Sequence, residues 1–128
     1  MHEHQVGTYQ TVQATTADPA HVVILLFDGA ERFIRQAQQA LERGDFGAFA
    51  YLVSRAQAVV TELSSALDRE AGGDLADNLA RLYGFMLRHL GQGLIAKKRV
   101  NLDQVIALLG QLREGFEAAR ETVRRETP

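Results

Sequence analysis

At 128 residues, with 14 basic and 16 acidic side chains and no cysteine, the chain has the length of one domain with a self-sufficient core. The missing cysteines exclude disulfides and thiolate metal sites, and a net charge of −2 gives no global field toward nucleic acid or an anionic membrane. The longest apolar run, Val22 to Phe27, falls far short of the roughly 20 residues a membrane helix needs, and the start MHEHQVGTYQ lacks the basic-then-apolar pattern of a signal peptide. These features read as a cytoplasmic protein without stable membrane insertion.

Residues 1–17 are polar, rich in Thr and Gln, and read as a flexible N-terminal arm. Tyr9 and Val12 stand three apart, so one helical turn would place both on one side and could dock them on the body; the composition equally describes a disordered tail. Asp18-Pro19 then predicts a helix over 18–43, with Asp as N-cap and Pro at the first helical position. Within it HVVILLFDGAERFIRQA is unusually apolar, and Phe27, Ile34 and Leu41, seven apart, are open to either a core or a groove assignment. Asp28-Gly29 interrupts this stretch, and the glycine reads as a place for close approach by another helix.

Gly44 supplies a left-handed stop and Asp45 the next cap, which predicts a second helix over 45–71. Its seam is Phe46, Phe49, Val53, Ala56, Val60, Leu63 and Leu67, with Leu52, Val59 and Ala66 in a second row. Gly72-Gly73 reads as the end of that helix and Asp74 as the cap of a third over 74–97. Leu75, Leu79, Leu82, Met86 and Leu90 form one of its rows, and Ala80, Tyr83, Leu87 and Leu94 another. Gly91 and Gly93 weaken its end, where Lys97, Lys98 and Arg99 suit the negative pole of the helix. No aromatic residues interleave with these cations, which argues against nucleic acid. Asn101 reads as the cap of a fourth helix over 101–124, with Leu102, Val105, Leu109, Leu112, Phe116, Ala119 and Val123 at heptad spacing. Short links imply antiparallel neighbours, so the expected fold is all-α: an antiparallel up-down four-helix bundle over 18–126, preceded by the arm.

Chemistry is hard to place on this chain. Di-metal bundles carry Glu-x-x-His pairs, yet the one acidic residue three before a histidine is Asp18, ahead of His21, and Asp18 is better used as a cap. Ser54, Ser64 and Ser65 fall mid-helix, without a Gly-x-Ser-x-Gly turn or a nearby histidine, and no phosphate loop is present. No enzyme, cofactor or metal is expected. The second apolar rows instead thicken the core or line grooves for another protein's amphipathic segments.

Several words then take on meaning together. They are Tyr9-x-x-Val12; Thr16-Ala17-Asp18-Pro19; Leu26-Phe27-Asp28-Gly29-Ala30; LSSALD from Leu63 to Asp68; Gly72-Gly73-Asp74-Leu75-Ala76; Leu79-x-x-Leu82-Tyr83; and Leu112-Arg113 followed by Phe116. In order and spacing the sequence resembles the FliS family of flagellar secretion chaperones. It departs in having Phe116 where that family usually has Trp, and Gly93-Leu94 in place of an Ala-Asn word. The resemblance implies a bundle that binds the disordered C-terminal segment of flagellin, keeps it from polymerising and hands it to the flagellar export gate. It also implies an arm that folds back over a groove until flagellin displaces it. The candidate partner contacts are Tyr9, Val12, Phe27, Ile34, Leu52, Val59, Leu63, Tyr83, Leu87 and Leu94. The alternatives are a helical adaptor for a different partner and a metal- or small-molecule-binding bundle.

Overall fold

The computed structural model describes residues 19–126. Four helices follow one another, α1 (Pro19–Glu42), α2 (Phe46–Ser65), α3 (Arg69–Ala96) and α4 (Arg99–Glu126), and no strand occurs among the described residues. The arm, with Tyr9 and Val12, and Asp18, expected as the first cap, lie outside them.

Each helix packs on two neighbours, α1 on α2 and α4, and α3 on α2 and α4, while the diagonal pairs make no close backbone contact. This is the expected four-helix bundle. Cross-helix ties show the antiparallel sense. Along α1 and α4, Gln38 Nε2 donates to Asp103 Oδ1 at 2.6 Å at one end, and the Phe27 and Phe116 rings lie 5.4 Å apart toward the other. Along α2 and α3, Lys97 Nζ sits 4.8 Å from the Phe46 ring centroid, while Gln57 Nε2 donates to the Leu87 carbonyl at 3.2 Å. One end of the bundle therefore carries the α1–α2 and α3–α4 links. The other carries the start of α1, the α2–α3 link and the end of α4.

Turn chemistry explains the α1–α2 link. Gly44 takes φ 74°, Gly44 N–H donates to Leu41 O and Asp45 N–H to Ala40 O, closing the last carbonyls of α1. The Asp45 carboxylate then accepts the Ala48 N–H at 3.1 Å and starts α2. The α2–α3 link departs from expectation. Helix α2 stops at Ser65 rather than near 71, because Asp68 rather than Asp74 is the cap, accepting the Ala71 N–H at 3.0 Å. Gly72-Gly73 is a bend inside α3 and not the link: Gly73 adopts φ 54°, ψ −132°.

At the α3–α4 link Lys97 takes the left-handed conformation (φ 52°) and Lys98 N–H bonds to Gly93 O. Helix α4 accordingly begins at Arg99, and Asn101, expected as its cap, lies in its first turn and donates from Nδ2 to the His89 carbonyl at 3.0 Å. Gly93 is the reason the reversal can be this tight. A Cβ there would lie 2.8 Å from Asn101 Cβ and 3.1 Å from Leu102 Cδ1. Gly93→Ala is therefore expected to lower stability by about 1–3 kcal/mol through overpacking, against the better helix propensity of alanine. A lower urea midpoint at unchanged m-value checks it.

The core runs through Phe27, Ile34, Phe49, Val53, Tyr83, Met86, Leu90, Leu102 and their buried neighbours. Burial pushes the Tyr83 phenol pKa up from 10.0 to about 12. The folded chain holds this proton where the unfolded chain releases it. The neutral phenol thus leaves stability intact below pH 10, and stability falls between pH 10 and about 12 by about 1.4 kcal/mol per pH unit from this group. Tyr83→Phe is expected to flatten that segment of the stability–pH curve relative to the parent, as read by denaturation at successive pH values.

Candidate partner-binding site

The heptad seam of α4 is continuous in sequence, but its burial is not. Leu102, Val105 and Leu109 are fully enclosed, Leu112 and Phe116 are half-buried, and Ala119 and Val123 are exposed. Helix α3 shows the mirror trend. Leu79 is buried, whereas Leu75, one heptad step nearer the start of α3, is 69 % exposed. Among the described residues, the two seams thus outrun the helices that would cover them. Where they do, Leu75 and Leu79 on α3 face Leu112, Gly115, Phe116 and Ala119 on α4 across an open groove of about 310 Å³, with Gln111 as the polar side chain of the lining.

Phe116 joins this groove to two adjacent hollows. One, of about 400 Å³, reaches under the α2–α3 link to Ala66, Leu67 and Ala71. The other, of about 460 Å³, passes Ala119 and Val123 to Pro19 and Ala20 at the start of α1. The apolar channel therefore crosses the end of the bundle at which α1 begins. Beside it, Arg113 clips α4 to α1: its Nε donates to Asp28 Oδ1 at 2.6 Å and its Nη2 to Asp28 Oδ2 at 3.3 Å. This pairing raises the Arg113 pKa further, and it gives Asp28 a structural role. Gly29 has no such role among the described residues, because a Cβ there would meet only Arg32 Nη2, at 4.0 Å. The expected close helix approach at Gly29 is absent. Gly29→Ala is expected to stabilise the protein by about 0.5–1 kcal/mol, measured as a raised thermal midpoint.

The groove and the sequence-derived contact residues do not coincide. Phe27, Ile34, Leu63 and Tyr83 are at most 3 % exposed and belong to the core, so they offer no surface to a partner in this state. Their rows point inward because each lies between two packed neighbours. Leu52, Val59, Leu87 and Leu94 are half-buried against the core and fall into two separate places. Leu52 and Val59 share a helical side with Arg55, which stacks over Phe33 of α1. Leu87 and Leu94 share a side with Gly91, which faces Gln57 of α2. The groove residues Leu75, Leu79, Leu112, Phe116 and Ala119 were all visible as heptad positions, and the signal that marks them is position: they lie at the helix ends where the bundle runs out of layers.

What can such a site hold? Nearly bare of polar groups, it cannot orient a polar small molecule, and the described residues contain no group of three or more His, Asp or Glu able to hold a metal. Its shape, a groove between two neighbouring helices with an apolar lining, suits the apolar face of a third helix.

A family model described as "Flagellar protein FliS" matches residues 2–123, almost the whole chain. The chain belongs to the FliS family. Relatives at similar length agree. The flagellar secretion chaperone FliSB of Pseudomonas aeruginosa is 34 % identical over 105 residues, covering 82 % of this chain and 83 % of its own. The flagellar secretion chaperone FliS of Salmonella typhimurium is 33 % identical over 103 residues (80 % and 76 %), and that of Bacillus subtilis 28 % over 118 (92 % and 87 %). The FliS proteins are named as chaperones, a non-catalytic role. No helix among the described residues is long and apolar enough to cross a membrane.

Proposed function

We propose that this chain is a cytoplasmic export chaperone that captures the disordered C-terminal segment of flagellin, prevents its premature polymerisation and delivers it to the flagellar export gate. The observation that carries the reading is the open continuation of the α3 and α4 seams at Leu75, Leu79, Leu112 and Phe116. An incoming amphipathic helix would supply the missing layer there, hiding the apolar stripe that flagellin uses for assembly. Ordering a disordered segment on the surface consumes part of the interaction energy, which leaves a wrapped complex releasable. On this reading Leu52 and Val59, and on another side Leu87 and Leu94, are secondary contacts for a segment that wraps around the bundle.

The arm competes for the same place. Helix α1, which follows it, starts at Pro19 and Ala20, which line the channel, and the seven residue steps from Val12 to Pro19 span about 25 Å when fully extended. Tyr9 and Val12 are then placeholders in the channel until flagellin arrives. Gel filtration with intact flagellin and with flagellin lacking its C-terminal segment tests the main reading: a stoichiometric complex is expected with the intact protein alone, and equal binding of both would refute it. Deleting residues 1–15 is expected to tighten binding without loss of helicity; unchanged affinity would take the arm out of the mechanism.

A further inference from the structure

We propose that the first turn of α3, residues 69–72, is a hinged latch at one mouth of the groove, pivoting at Gly73 and held shut by the Arg69–Asp77 ion pair. The inference rests on the reading of the groove as the flagellin site and concerns how that site is opened.

Gly73, at φ 54° and ψ −132°, divides α3 into two rigid pieces joined at one residue that has no Cβ to resist rotation. The short piece is weakly anchored. Every residue from Arg69 to Leu75 is exposed, and the first buried one is Ala76. Its backbone ties, Ala71 N–H to the Asp68 carboxylate at 3.0 Å and Gly72 N–H to the Asp68 carbonyl at 2.8 Å, run to the cap residue just outside the turn and give way when it swings. Across the pivot, the side-chain tie is Arg69 Nε to Asp77 Oδ1 at 3.1 Å, between two solvent-exposed groups. A segment with so little buried apolar surface opens at small free-energy cost.

Its closed position matters to the groove. Asp68, Ala71 and Gly72 line the hollow beneath the α2–α3 link, which shares Leu75, Leu79 and Phe116 with the main groove. The tight fold depends on Gly72, since a Cβ there would lie 2.6 Å from Ala76 Cβ. A helix lying along Leu75 and Leu79 and longer than the groove would run into this turn. Swinging the turn outward extends the groove toward Leu67. Because only the open form admits the full segment, apparent affinity is reduced by the closed fraction.

The chain has no cysteine, so Arg69→Cys/Asp77→Cys can be bridged cleanly by a short bis-maleimide in the full-length protein. A peptide of the flagellin C-terminal segment is titrated calorimetrically into parent, unbridged and bridged protein, with circular dichroism verifying equal helicity. The unbridged variant is expected to bind about two- to fivefold tighter than the parent, the scale of an exposed ion pair, and the bridged form at least tenfold weaker than the unbridged. Equal affinity of bridged and unbridged forms would overturn the latch. A parent that binds no peptide would refute the flagellin reading instead. The latch itself has a partner-free readout: bridging is expected to slow hydrogen exchange of the Gly72 amide at least tenfold, and unchanged exchange overturns it whatever the partner.

Discussion

Gly115→Leu is expected to weaken capture of the flagellin C-terminal segment at least tenfold while raising the thermal midpoint by about 2–4 °C. The two effects have separate causes. A glycine inside a helix costs about 0.8–1 kcal/mol relative to a good helix former, and for a domain of this size each kcal/mol moves the midpoint by a few degrees. Nothing lies within 4 Å of a Cβ built on Gly115, so a side chain there meets no obstacle in the free protein. It does project into the groove that Gly115 helps to line, where it would occupy the volume meant for an incoming helix. Calorimetric titration and a thermal melt on the same sample separate the two. A substitution that stabilises the fold and leaves binding intact would show that the partner docks elsewhere.

Phe27→Ala is expected to cost about 3–5 kcal/mol of stability, the range for an aromatic removed from a packed core. Phe27 is 1 % exposed and lies 5.4 Å, ring to ring, from Phe116, so it supports the floor of the groove from beneath. Equilibrium unfolding in urea measures the loss. At temperatures where the variant remains folded, its affinity for flagellin is expected to fall less than that of Gly115→Leu. The opposite order would return Phe27 to the contact surface where its sequence neighbourhood placed it.

Sequence chemistry settles what is local. Gly44 followed by Asp45 can only stop one helix and start the next, since the positive φ and the side-chain cap are properties of those two residues. The second link was less readable because Asp68 and Asp74 are both competent caps. Choosing between them requires knowing that Gly73 can bend α3, which lets a helix start early and still direct Leu79 and Tyr83 into the core. Gly93 was legible as a weakness and is in fact a fit: the cost of glycine in the helix is offset by the approach of Asn101 and Leu102, and the strand of sequence opposite it gives no hint of that distance.

The groove was illegible for a different reason. Leu112, Phe116, Ala119 and Val123 repeat the spacing of Leu102, Val105 and Leu109, and periodicity records which face is apolar, not whether a neighbour covers it. The same limit applies to Phe27, Ile34, Leu63 and Tyr83, expected as partner contacts and buried in the core here. A row of apolar residues in a bundle helix looks alike from the sequence whether it ends inside the core or in front of a partner. Only the number of helices present at each level distinguishes them, and that number follows from where α1 begins and where α2 ends.

Because the chain contains no tryptophan, Phe116→Trp places a single fluorophore at the junction of the three hollows. Titrating this variant with a tryptophan-free peptide of the flagellin C-terminal segment should give a saturable blue shift as the indole loses water to the incoming helix, with the midpoint matching the calorimetric affinity. Peptide binding with an unchanged emission spectrum would contradict the assignment of the α3–α4 groove as the capture site.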